Sequence, residues 1–263
     1  MNNYWLKQTI SKPLFEDLIW SQPENKRHAG KLLIVGGNSQ GFSTPVLAYS
    51  QTLKAGAGVV HVLMPSSTEK MVGHFSSDVS FSPSTKSGGF SRESLGTLVE
   101  AADWSDGVFL AGEIGSNSES VVLIESFIEK YNGPLIIAND AVHITTLFIE
   151  KTLQRPETVI VTDIGMLQKL TSKIMLPSTI KHSISMVNLV ESLHELTTQT
   201  KISLVIKHEG SVYISSEGKV STTPISDNNN WELLLSSHAA VWVIQNPNKI
   251  FEALSCAVIS SNQ

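Results

Sequence analysis

The 263-residue sequence has one cysteine, Cys256, which excludes an intrachain disulfide framework and suits a reducing compartment. It has no apolar run long enough to span a bilayer, so no membrane-spanning helix is expected. Its eight histidines are scattered and no Cys/His cluster has metal-ligand spacing, so no metal site is expected. Long basic runs are missing and the formal net charge is −5, which argues against a nucleic-acid partner. Neither G-x-G-x-x-G nor G-K-[ST] occurs, so no dinucleotide or P-loop fingerprint can be read. There is no internal repeat and no low-complexity linker. The first twenty residues are amphipathic and broken by Lys and Pro, unlike a signal peptide. A soluble, cytoplasmic protein is expected.

What is present is a recurring local pattern. Leu32 to Val35 is a short aliphatic run that ends in Gly36-Gly37 and a polar turn, Asn38 to Gly41. A helical period follows, with Val46, Tyr49, Leu53 and Ala57 on one face. Gly56 and Gly58 stop it before a second apolar run, Val59 to Met64. Strand, glycine turn, helix and strand make a βαβ unit, which implies a parallel sheet. Glycines at such a turn let backbone N–H groups approach a ligand, and the helix N-terminus favours anionic or polar groups. Tight strand–helix packing requires the same glycines.

The pattern returns along the chain. A short helix is expected over residues 65–73, a strand at Asp78 to Phe81 and a helix at Glu93 to Ala102. Gly107 to Ala111 reads as a buried strand ending in Gly112-Glu113-Ile114-Gly115, followed by a helix with Ile124, Phe127 and Ile128 inward. Pro134 to Ala138 delivers Asn139-Asp140, and Thr158 to Val161 delivers Thr162-Asp163. Ligands of doubly wound sheets bind beyond the C-terminal strand ends, which makes Asp140 and Asp163 candidates; helix or loop capping is the alternative for each. Residues 183–197 read as an amphipathic helix, and Leu204 to Ile206 as a strand ending in Lys207-His208-Glu209-Gly210. Ser211 to Ile214 and Lys219 to Thr223 form a hairpin, and two helices, Asn228 to Gln245 and Asn248 to Ser260, follow. Residues 1–27 are expected to be an extension packed through Trp5, Leu14, Phe15, Leu18 and Trp20, and residues 28–263 one domain.

These glycine-bearing strand ends, in this order, resemble the ADP/ATP-dependent NAD(P)H-hydrate dehydratases of the ribokinase-like superfamily. RHAGKLLIVGGNSQGFSTPVLAYSQTLKAGAGVVHVLMP is similar to that family's first βαβ unit. FLAGEIGSNSES resembles its G-P-G-x-G turn, with Gly112 and Gly115 kept and Glu113 in place of Pro. PLIIANDAV is similar to its D-A-D-A-L segment, VIVTDIGMLQKL to T-P-H-P-G-E, and LVIKHEGSVYISSEGKV to the V-L-K-G-x-x-x-V-I hairpin. The resemblance spans roughly residues 28–258. It implies a three-layer α/β/α fold with a mainly parallel central sheet and a C-terminal hairpin. It also implies ATP or ADP with Mg2+, hydrated NADH or NADPH (or a related nicotinamide nucleotide) as substrate, and a homo-oligomer. The hydrate hydroxyl would be phosphorylated, and phosphate would then leave. Gly36, Gly37, Thr44, Pro45 and Gly115 fall on the substrate side, beside Asp140 and Asp163; Lys207, Glu209, Gly210 and Ser211 fall in the adenylate turn.

One motif departs. In the family a G-x-G-D motif opens the penultimate helix, its glycines forming an anion hole and its Asp activating the attacking hydroxyl. Counting back from Gln245 without a gap places Leu233 at the Asp position, and no glycine follows Gly218. Leucine cannot accept a proton, so impaired catalysis is expected. A one-residue shift brings in Glu232 as a displaced base. Asparagine tolerates left-handed backbone, so Asn230 could supply part of an N–H nest. The Lys-Gly turn carries His208 in place of its glycine, and the stretch Thr162 to Met166 lacks the family's His and Glu. The readings are therefore an impaired dehydratase-like protein, a non-catalytic nucleotide-binding or structural homologue, and a small-molecule kinase of the same superfamily.

Overall fold

Strand Lys31–Gly36 is buried on both faces after its exposed first residue. Leu33 and Val35 enter one hydrophobic cluster and Leu32 and Ile34 the other, as the two-residue period of a strand demands. This alternation organises a computed structural model that describes residues 3–73, 78–173 and 180–262. Met1, Asn2 and Gln263, within the expected extension and domain, lie outside the described residues.

Ten strands form one sheet. They are β1 (Trp5–Lys7), β2 (Lys31–Gly36), β3 (Val59–Pro65), β4 (Val79–Ser82), β5 (Gly107–Gly112), β6 (Leu135–Ile137), β7 (Thr158–Asp163), β8 (Ile202–His208), β9 (Ser211–Ser216) and β10 (Lys219–Pro224). Their order is β1-β10-β9-β8-β7-β6-β5-β2-β3-β4. Among the described residues, only the β8–β9 and β9–β10 strand pairs of this sheet are antiparallel. The sheet is the expected mainly parallel one with its C-terminal hairpin.

Helices cover both faces. Leu98, Phe127, Leu167 and Leu193, from helices Leu95–Trp104, Ser118–Lys130, Ile164–Thr171 and Met186–Gln199, pack on one side. Ala48, Ala239 and Leu254, from helices Ser43–Lys54, Trp231–Gln245 and Ile250–Ser260, pack on the other. Every residue of Trp231–Gln245 from Leu235 to Ile244 is buried, which leaves this helix with no amphipathic period.

The N-terminal segment supplies an element the sequence did not predict, and two expectations are corrected. That element is a strand: β1 pairs parallel with β10, and Trp5 Nε1 donates to Thr222 Oγ1 at 3.1 Å. Trp20, expected inward, is 86% exposed. Leu53 is exposed too, because helix Ser43–Lys54 turns Pro45, Ala48 and Thr52 inward.

Arg155 is buried and holds the turn before β7. Its guanidinium donates to the carbonyls of Tyr131, Gly133 and Pro156 and to Thr158 Oγ1. Burial lowers its pKa to about 10, with the charges of Tyr131 and Glu157 opposing. Arg155→Met leaves buried carbonyls without donors, so a loss of about 3 kcal/mol is expected from denaturant unfolding.

Candidate functional site at the C-terminal strand ends

The parallel strands β2, β5, β6, β7 and β8 end on one side of the sheet, where a crevice forms in doubly wound folds. Just beyond β6, Asn139 adopts φ +54°, an uncommon conformation for a non-glycine residue. Its Nδ2 donates to Ala111 O at 2.7 Å, and its backbone N–H donates to Glu232 Oε1 at 2.9 Å. Glu232 sits in the first turn of helix Trp231–Gln245. That bond draws it into a cleft of about 580 Å³ with Asp140, Asp163, His143 and Gly115 on its walls. Two other clefts, of about 630 and 520 Å³, lie by the N-terminal segment and by the start of β8, away from the C-terminal strand ends.

Three carboxylates thus face one cleft, each held differently. Asp163 caps helix Ile164–Thr171 by accepting from Met166 N–H at 2.7 Å. Asp140 accepts from Glu113 N–H at 2.5 Å, tying the turn after β5 to the end of β6. Surrounding protein raises the Asp140 pKa although solvent reaches the residue, and the Glu113 N–H opposes the rise. Glu232 is pushed up to about 7, first by burial and then by the charges of Asp163 and Asp140, with Asn139 N–H opposing. A carboxylate poised near neutrality suits proton abstraction. Leu233, which the ungapped count puts at the family's Asp position, packs against the hydrophobic cluster instead. Helical rotation sends neighbours in sequence to different environments, and the cleft receives Glu232.

Of the other substrate-side candidates, Gly115 lines the cleft, whereas Gly36, Gly37, Thr44 and Pro45 do not. Gly36 and Gly37 are buried against β5, and Gly37 N–H donates to Gly112 O at 3.0 Å. Pro45 is buried, and Thr44 N–H donates to Glu113 Oε2 at 2.8 Å.

On the nucleotide side, Lys207 stands opposite Asp163 in the β7–β8 register. Its Nζ meets Asp227 Oδ1 at 3.1 Å and lies 5.7 Å from the Trp231 ring centroid. Glu209 and Gly210 form an exposed turn with positive φ, and Ser211 is buried at the start of β9. The His208 ring is buried; its Nε2 reaches Ile184 O at 3.1 Å and lies 3.9 Å from Glu209 Oε1. Asn230 N–H donates to Asn228 Oδ1 at 2.8 Å, so this nest donor already has an acceptor. Among the described residues, no group of three or more His, Cys, Asp or Glu is placed to hold a metal ion. None of the described helices is long and apolar enough to cross a membrane.

The fold is the ribokinase-like α/β fold. It superposes on a ribokinase-like superfamily protein from Enterococcus faecalis V583 with a TM-score of 0.72 and 14% identity, over 99% of this chain and 87% of that one. An ADP/ATP-dependent NAD(P)H-hydrate dehydratase from Bacillus subtilis, solved with ATP/Mg2+, gives a TM-score of 0.62 at 13% identity, over 95% and 87% of the two chains. In sequence, the chain is similar to the bifunctional NAD(P)H-hydrate repair enzyme Nnr of Dictyoglomus turgidum, 22% identical over 213 residues. The match takes in 79% of this chain but 39% of that protein, so the chain spans less than half of its relative. No family model matches the chain. The resemblance to the NAD(P)H-hydrate dehydratases, first carried by the glycine-bearing strand ends, therefore holds in both sequence and fold.

Proposed function

We propose that the chain is an NAD(P)H-hydrate dehydratase-like protein that uses ADP or ATP, with Glu232 replacing the missing Asp and with slow turnover. The observation that carries this reading is the Glu232 carboxylate, held in the strand-end cleft with its pKa raised to about 7. At neutral pH about half of such a group is ionised, so it can take the proton of a substrate hydroxyl. Slow turnover follows from the anion hole: the glycines are gone and Asn230 N–H is bound to Asn228.

A nucleotide would be held at the exposed turn by Lys207, Glu209, Gly210 and Ser211, and would supply the transferred phosphoryl group. Asp227 is almost fully exposed, so it can yield its place on the part-buried Lys207 to a phosphate. Mg2+ would enter with those phosphates, since it is commonly held by one or two carboxylates together with substrate oxygens. The homo-oligomer implied by the resemblance belongs to this proposal and is read by light scattering.

The test mixes hydrated NADH with the protein, magnesium and ADP or ATP, and follows recovery of NADH absorbance. Slow turnover that Glu232→Gln abolishes is expected. A folded protein with no turnover at all would sink this reading. The non-catalytic homologue would then stand, a reading favoured by the carboxylate of Glu113 at the N-terminus of helix Ser43–Lys54.

A further inference from the structure

Glu113 stands where the resemblance implies proline, and its carboxylate crosses to the first glycine turn. Oε2 accepts from Thr44 N–H at 2.8 Å and Oε1 from the Ser43 hydroxyl at 3.1 Å. No side chain caps helix Ser43–Lys54 from Phe42, so Glu113 is the group that satisfies this end. A Cβ at Gly41 would come within 2.9 Å of Oε1, so the turn closes around the carboxylate. The Glu113 backbone is pinned as well. Its N–H bonds Asp140 Oδ1, its carbonyl accepts from Asn38 Nδ2 at 2.6 Å, and its φ is +56°. The lost proline is visible in the sequence, whereas this contact joins segments 69 residues apart.

We infer that Glu113 is an internal anion that closes the first glycine turn to phosphate-bearing ligands, and thereby determines which ligands that turn accepts. A phosphate at this turn would have to displace a carboxylate that already uses the same donors, or lie beside its negative charge. Asp140, Asp163 and Glu232 line the adjoining cleft, and Asp140 bonds the Glu113 N–H, so further carboxylates stand near the turn and disfavour a second anion. A ligand's phosphates are left to the Lys207 side. The inference needs no turnover, so it holds or fails separately from the dehydratase reading.

The experiment titrates inorganic phosphate, and separately NADH, into the wild type, Glu113→Gln and Glu113→Ala, read by melting temperature and calorimetry. Circular dichroism confirms folding. Phosphate is expected to bind the variants at least about tenfold more tightly than the wild type, in the order Ala, Gln, wild type. NADH is expected to follow the same order. Wild-type protein that binds phosphate as tightly as Glu113→Gln would overturn the inference, as would a folded Gln variant with no gain. Should the Ala variant fail to fold, the near-isosteric Gln variant decides, because it keeps an acceptor for Thr44 N–H.

Discussion

Glu232→Gln is expected to stabilise the folded protein at pH 8 while removing whatever turnover it has. In the native state Glu232 keeps its proton up to about pH 7, whereas an unfolded glutamate releases it near 4.5. The folded form therefore binds more protons across that window, and Glu232's contribution to stability is fully present below 4.5 and lost as pH rises through 7. Glutamine keeps an acceptor for Asn139 N–H and has no proton to lose. The difference between variant and wild type should be near zero at pH 4, grow through the window and level off above 7. A shift of this size corresponds to at most about 3 kcal/mol; partial solvent access reduces the expectation to about 2 kcal/mol. Urea unfolding across the pH range measures it. His238, pushed down to about 4 by burial, adds a slope of opposite sign in both proteins and cancels in the difference. A difference that is flat with pH would mean that Glu232 ionises normally and is no poised base.

Gly36→Ala is expected to cost about 3 kcal/mol, seen as a melting temperature lower by roughly 10 °C. A Cβ at Gly36 would lie 2.4 Å from Gly112 O, a backbone atom of the neighbouring central strand. The β2–β5 register shifts between Val35 and Gly36, and Gly37 N–H bonds the same carbonyl, so neither strand can move aside alone. The glycine pair read as a ligand cradle thus has a packing duty that stability measurements isolate. An Ala variant as stable as the wild type would leave ligand approach as the reason for the glycine.

The strand–turn–helix units were legible because each is encoded locally: β2 through its aliphatic run, the hairpin through Glu217-Gly218, and the amphipathic helix at Met186–Gln199 through its period. Asp163 was legible as a capping residue of a loop, and it proves to cap the helix that follows. Strand β1 was not, because three residues become a strand only when β10, more than two hundred residues later, offers an edge.

The sequence by itself determined the parallel α/β architecture, the strand ends that carry polar residues, and the loss of the glycines ahead of Trp231. All of these follow from periodicity, turn chemistry and residue identity over short spans. Only the tertiary structure decided that Glu232 rather than Leu233 enters the cleft, that the His208 ring is buried against Ile184 O, and that Glu113 fills the helix end at Ser43. Those outcomes depend on helix rotation and on contacts between distant segments, which packing of the whole chain settles and no local pattern encodes.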